Sequence, residues 1–308
     1  YGQSGPLKDQ GAAMEKSFVG LDGPSQSDRR HPGNGTKNQG KLKETRLSRE
    51  NLLNQRRELM ASLKYASFIQ RAVLPDQKIM ENMLKEFFIF HQPRDIVSGD
   101  FYYCSRKEDY IVVAAGDCTG HGVPGALMSI MGISFLNEIL SIRGAIRSSR
   151  ILNLLRERVM KALHQRGYEL ENKDAMDMSL CVFHPRSGEL QFSGANNPLY
   201  HIRNKVLTEI KADKMPVGVD AIEENSFTNH TLQLKPGDIV YLFSDGYPDQ
   251  FGGPENKKFK YGPFRELLIR ISDNTMEEQR NELDRVMADW KGDQTQIDDI
   301  LIFGIRFI

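Results

Sequence analysis

Asp117 stands at the end of a strongly apolar run, YIVVAAGD, and is followed by a turn of small residues around His121 and an apolar stretch entered at Pro124. A carboxylate at the mouth of a buried strand is costly unless something positive faces it. Three further acidic positions share this placement: Asp245 follows DIVYLFS, Asp298 and Asp299 open ILIFGI, and Asp100 lies in PRDIVSGDFYY. Gly99, Gly116 and Gly246 adjoin them and would let the backbone come close. If the strand ends meet, four carboxylates share one pocket, and their mutual repulsion raises their pKa values unless cations occupy it. Carboxylate oxygens without a His or Cys cluster favour hard divalent ions, Mg²⁺ or Mn²⁺, over zinc. Of the neighbours Asp298 and Asp299, only one can face the same way along a strand. A single Asp-Gly beside a strand is most often a plain turn, so the weight rests on the repetition.

The elements that must position these residues follow from the pattern. Short apolar runs, EFFIFHQP, DFYYCSR, YIVVAAGD, MSLCVFHP, ELQFSGA, PLYHIR, FTNHTLQL, DIVYLFSDG and DDILIFGIRFI, are separated by turn signals such as RKED, HPRSG and KPGD. They suit antiparallel pairing. Helical patterns cover 124–141, 147–166 and 274–290, and their grouping between runs of strands predicts an α+β fold with helices flanking a two-sheet sandwich. Ahead of this, residues 1–40 are rich in Gly, Ser, Pro, Asn and charge and read as a flexible tail or linker. Residues 41–75 read as an amphipathic helix in which Leu52, Leu59, Ala66 and Val73 recur every seven positions before Pro75 ends it. Such a helix either packs on its own domain or pairs with a second copy. Residues 76–308 form the expected catalytic domain.

Lysine plus arginine and aspartate plus glutamate both number 41, so bulk charge gives no reason to expect a nucleic-acid partner. The three cysteines, Cys104, Cys118 and Cys181, are scattered with no metal-binding spacing, which favours a reducing, cytoplasmic setting over a disulfide framework. No apolar run is expected to reach the about 18 residues of a membrane span, and the start lacks the regions of a secretory signal. A membrane sensor upstream of Tyr1 stays open.

Taken in order, PRDIVSGDFYY, GDCTGHGVPGALMS, FSGANNPLY, KMPVGV, LFSDGYPDQFGG and IDDILIFGI resemble the PPM (phosphatase 2C-like) metal-dependent serine/threonine protein phosphatases, in the bacterial branch of sporulation stage II protein E and RsbU. The resemblance covers about residues 70–308. It implies an αββα sandwich with two Mn²⁺ or Mg²⁺ ions at one end. It further implies that Asp117 bridges both ions, that the carbonyl of Cys118 ligates one, that Asp245 and Asp298 hold the other, and that Asp100 acts directly or through water. His121 lies near a family histidine assigned as general acid, and Arg94 is the candidate for binding the phosphate. Where eukaryotic relatives carry a further acidic ligand, this chain has Asn196 and Asn197.

The expected function is therefore hydrolysis of phosphoserine or phosphothreonine by a metal-activated water, on a bacterial regulatory protein of the anti-sigma-antagonist (STAS) type, by a homodimer joined through the 41–75 helix. The lysines of PDQFGGPENKKFKYG could recognise an acidic protein surface, although a solvated charge run is the default. Two other readings stay open: a catalytically silent module that binds a partner, and another two-metal phosphohydrolase.

Overall fold

The computed structural model describes residues 34–142, 144, 146–165, 173–219 and 226–308. The chain divides into two units, Tyr1–Gln55 and Arg56–Ile308. Helix α1, Asn34–Val73, supplies the described part of the first unit and leads into the second. It begins inside the stretch expected as a tail, so residues 34–40 are helical, and residues 1–33 lie outside the described residues. Leu52 in the first unit and Leu59 in the second stay 63% and 61% exposed. Among the described residues nothing covers Leu52 and Leu59, and α1 instead buries the polar Ser67 and Gln70.

In the second unit, a short helix α2 (Gln77–Glu81), N-capped by the Asp76 carboxylate, leads into ten strands that build two antiparallel five-stranded sheets. One sheet runs in the order β1 (Glu86–Gln92), β12 (Ile300–Arg306), β9 (Ile239–Phe243), β6 (Leu199–Arg203) and β7 (Val206–Ile210). The other runs β2 (Phe101–Lys107), β3 (Tyr110–Cys118), β4 (Met176–His184), β5 (Glu189–Ala195) and β8 (His230–Gln233). Helices α3 (Gly122–Ser141) and α4 (Ser148–Ala162) cover the second sheet, and α6 (Tyr261–Ile271) and α7 (Met276–Lys291) cover the first. A one-turn helix α5 (Gly246–Asp249) and a small hairpin, β10 (Phe251–Gly252) with β11 (Lys257–Lys258), complete the fold. The expected αββα sandwich is what forms.

Three apolar layers explain the strand sequences. Val112 and Ala114 of β3 face α3 and α4 together with Leu180, while Ile111, Val113 and Ala115 face the opposite sheet together with Leu242 and Leu301. A strand covered on both faces needs apolar residues at every position, which is why YIVVAA does not alternate. The third layer packs α6 and α7 on Tyr241, Phe243 and Ile302.

Three features depart from expectation. Helix α6 was not foreseen, although Phe264, Leu267, Leu268 and Ile271 form a buried i, i+3, i+4, i+7 stripe, because Gly262 and Pro263 at its start read as loop. Strand β7 (VLTEI) was also missed; it is an edge strand with no buried position and so carries no apolar alternation. The expectation about apolar length needs correction too, since α3 is long and apolar enough by length and composition to cross a membrane. Here Ile133, Leu136 and Ile139 are buried against the sheet, as in a core helix.

Candidate active site

Sheet pairing decides which aspartates meet. Asp117 at the end of β3 lies directly opposite Asp177 at the start of β4. In the other sheet β9 and β12 are antiparallel neighbours, so Asp245, just past the end of β9, and Asp298, just before β12, emerge at the same edge. The four carboxylates, with Cys118 and His121, line one polar cleft of about 210 Å³ at that end of the sandwich. Among the described residues no lysine or arginine lines it.

The electrostatics follow from that crowding. Burial raises the pKa of Asp117 well above the usual carboxylate range, and the charges of Asp245, Asp298 and Asp177 raise it further. Asp245 is pushed up to about 6 by burial, then by Asp249, Asp298 and Asp177. Burial also raises Asp177, against a hydrogen bond from Asn196 and the charge of Lys214. Burial raises Asp298 as well, partly relieved by the Asp299 N–H and by the charges of His121 and Arg94. Four acids without a cation among them form a site that a doubly charged ion would relax. Among the described residues no three such groups gather tightly enough to cage one ion alone. Sites for Mg²⁺ and its relatives commonly keep several water ligands, so an open ring of carboxylates still suits them.

Of the expected residues, Asp117, Cys118, His121, Asp245 and Asp298 line the cleft, whereas Asp100 and Arg94 do not. Asp100 is buried behind it and accepts a 2.6 Å hydrogen bond from the Ser244 hydroxyl. Burial, followed by the charge of Asp117, holds its pKa well above normal. The Cys118 thiol belongs to the buried helix-sheet core, and burial, then the charge of Asp117, holds it well above its usual pKa. His121 occupies the N-cap position of α3 without a side-chain capping bond, and its Nδ1 lies 3.0 Å from the Asp95 carboxylate. With Nδ1 donating to that carboxylate, Nε2 is left for the cleft. Arg94 is exposed, and its backbone N–H donates to Asp299 at 2.7 Å.

The two neighbouring acids divide their work. Asp298 is exposed in the cleft, while Asp299 is 3% exposed and accepts 2.7 Å bonds from the backbone N–H groups of Arg94 and Gly99. It thereby ties the loop before Asp100 to β12. At Gly99 a side chain would meet the Gly120 carbonyl at 2.7 Å, and at Gly125 in the first turn of α3 at 2.3 Å, so α3 seats backbone to backbone on the loop that carries His121. Thr119 holds the other side, exchanging hydrogen bonds with both the N–H and the carbonyl of Ala175, two residues before Asp177.

Asp177, Asp95 and Asn196 were not assigned a role from the sequence. Asp177 was legible: it precedes MSLCVF as the other acids adjoin their strands, but β4 was taken to start at Met178. Asn196, at positive φ of 57°, donates from its side-chain amide to Asp177 at 2.8 Å. The position lacking an acid thus orients one supplied by the neighbouring strand. Asp95 becomes recognisable only when the fold brings it to His121.

Residues 107–308 match the family described as stage II sporulation protein E (SpoIIE). The chain belongs to the SpoIIE family. A solved structure, the SiaA-PP2C domain of Pseudomonas aeruginosa, superposes with a TM-score of 0.74 at 31% identity, covering 82% of this chain and 98% of that one. Phosphoserine phosphatase RsbU of Bacillus subtilis (strain 168) is 26% identical over 196 residues, 61% of this chain and 54% of that protein. This SpoIIE-family chain therefore spans about half the length of the curated relative it matches. The catalytic domain of the serine/threonine protein phosphatase PstP, solved in complex with 2 manganese ions, shares the fold with a TM-score of 0.52 at 15% identity, covering 72% of this chain and 97% of that one.

Proposed function

We propose that this chain is a metal-dependent phosphoprotein phosphatase that hydrolyses phosphoserine or phosphothreonine. The carrying observation is the cleft in which Asp117, Asp177, Asp245 and Asp298 meet with no lysine or arginine among them. The two manganese ions of the PstP complex fit that need for positive charge. When bound, two divalent cations would neutralise phosphate charge and supply an activated water. Asp117, Asp245 and Asp298 would hold them, joined by the Cys118 carbonyl and by Asp177. Asp100, behind the cleft on Ser244, would steady that set from within. His121, oriented by Asp95, would protonate the departing serine or threonine oxygen from Nε2. Arg94 at the rim would steer the phosphate.

The substrate is proposed to be a small regulatory protein of the STAS type, a reading supported by the likeness to RsbU. Three buried cysteines without a disulfide support a cytoplasmic setting. The test is hydrolysis of a phosphothreonine peptide. Turnover should appear with Mn²⁺ and disappear with EDTA. Folded protein inactive in both conditions would favour the silent binding module, and turnover of nucleotides in preference to phosphopeptides would favour another phosphohydrolase.

Pairing of two chains through α1 belongs to the same proposal. Leu52, Leu59 and Val73 are exposed along its heptad stripe, as a coiled-coil seam would be in a single chain. At the inner face, Gln70 donates to the Ser98 carbonyl at 2.6 Å and accepts from the Ser98 N–H at 3.1 Å, two residues before Asp100. The helix is therefore tied to the loop that enters the site. Sedimentation should show a dimer that Leu52→Asp with Leu59→Asp converts to monomer; a wild-type monomer at high concentration would sink the pairing.

A further inference from the structure

We infer that the groove beside the metal cleft, flanked by Lys211 and Lys214, binds acidic residues that neighbour the phosphorylated side chain of a protein substrate. This rests on the phosphatase reading above and adds what the enzyme recognises beyond the phosphate. The groove has a volume of about 490 Å³ and lies between β6, β7 and the start of α6. Asn196 joins it to the cleft, since it lines the groove and holds the cleft carboxylate Asp177. Lys214 lies close enough for its charge to act on Asp177, and Tyr261, at the groove, feels the charge of Asp245. A peptide placing its phosphate in the cleft would lay its neighbouring residues here.

Charge gives the class of occupant. Lining the groove are three cations, Lys211, Lys214 and Arg265, and one acid, Glu209. Glu209 is already paired with Arg265, whose Nε also donates to the Tyr200 hydroxyl at 2.9 Å and whose guanidinium lies over that ring. Lys211 and Lys214 are exposed and form no ion pair among the described residues. The lysines that the sequence pointed to are differently placed. Lys257 pairs with Glu255 and Lys258 donates to Asp249 at 2.7 Å, so both are engaged within their own hairpin region, while Lys260 is exposed at the N-cap of α6. Lys211 and Lys214 are thus the cations of the groove that are not already engaged, and they offset the repulsion that a cleft of aspartates exerts on an acidic peptide.

The test uses the whole chain in Mn²⁺ with two fluorescent, unphosphorylated peptides of equal length, one with glutamate and one with lysine around the central serine, read by anisotropy. The glutamate peptide should bind about tenfold more tightly, and Lys211→Glu should erase or invert the preference, since two rim ion pairs, one at Lys211 and one at Lys214, account for about that ratio. Lys211→Ala, the milder change, should reduce it, and it separates a charge effect from misfolding. Because the cleft is unchanged in these variants, an effect at Lys211 distinguishes the groove from direct binding of glutamate to the metal. Equal binding of the two peptides, or a preference indifferent to Lys211, overturns the inference. Hydrolysis of the phosphorylated peptides is read separately. Discrimination without hydrolysis leaves the groove standing and removes the phosphatase reading, whereas hydrolysis with equal binding and equal KM does the reverse.

Discussion

Asp117→Asn should give a protein that melts higher than wild type without metal, gains nothing from Mn²⁺, and hydrolyses phosphopeptides at least about 100-fold more slowly. The same charge explains all three. Asp117 is buried among Asp177, Asp245 and Asp298, and the folded chain without cations bears their repulsion. Asparagine keeps the shape and removes one charge, a gain of about 1–2 kcal/mol, or roughly 2–8 °C for a domain of this size. It also removes one of the carboxylates that would hold the proposed cations. A raised carboxylate pKa fixes the pH dependence as well. Asp245 titrates near 6 in the folded chain against a usual value near 3.8, so between these values the folded state holds a proton that the unfolded chain has released. Metal-free stability should fall as pH rises through that window, and less steeply in Asp117→Asn. Calorimetry at pH 5 and pH 7.5, with and without Mn²⁺, reads each part. A variant that melts lower without metal, yet still gains from Mn²⁺, would mean that Asp117 is structural.

The adjacent acids should separate cleanly. Asp299→Ala should lower stability by about 3–5 kcal/mol, because it strips one buried and one part-buried backbone N–H of their carboxylate acceptor. Asp298→Ala should leave the melting temperature of the metal-free protein within about 2 °C or raise it, since it removes an exposed carboxylate from a repulsive cluster, yet it should abolish most turnover. Urea unfolding and a phosphopeptide assay on both variants make the comparison. The opposite assignment, a stable but inactive Asp299→Ala with an unstable Asp298→Ala, would place the ligand on Asp299 and overturn the site as described.

The sandwich and most of the cleft were legible along the chain. Apolar runs bounded by turns fix strands locally, and strands that are apolar throughout must be covered on both sides, so the four layers were already implied. Asp117, Asp245 and the Asp298–Asp299 pair were readable because each adjoins such a run, and a charge at the edge of an apolar strand is conspicuous in one dimension. Helix α6 and strand β7 were less visible, the first behind a Gly-Pro start and the second because an edge strand with no buried residue leaves no pattern.

Which acids share the cleft depends on how the sheets pair and stack. Asp177 joins Asp117 through strand register, Asp95 reaches His121 from a different loop, and Asp299 turns from the cleft to clamp backbone while Asp298 stays in it. The same holds for the lysines, since Lys257 and Lys258 are engaged nearby and those that line the groove, Lys211 and Lys214, come from a different segment. The physical reason is common to these cases. Burial and periodicity are written along the chain, but electrostatic partnership depends on distances that only the folded sheets set, and charge falls off too steeply in water for sequence neighbours alone to fix it.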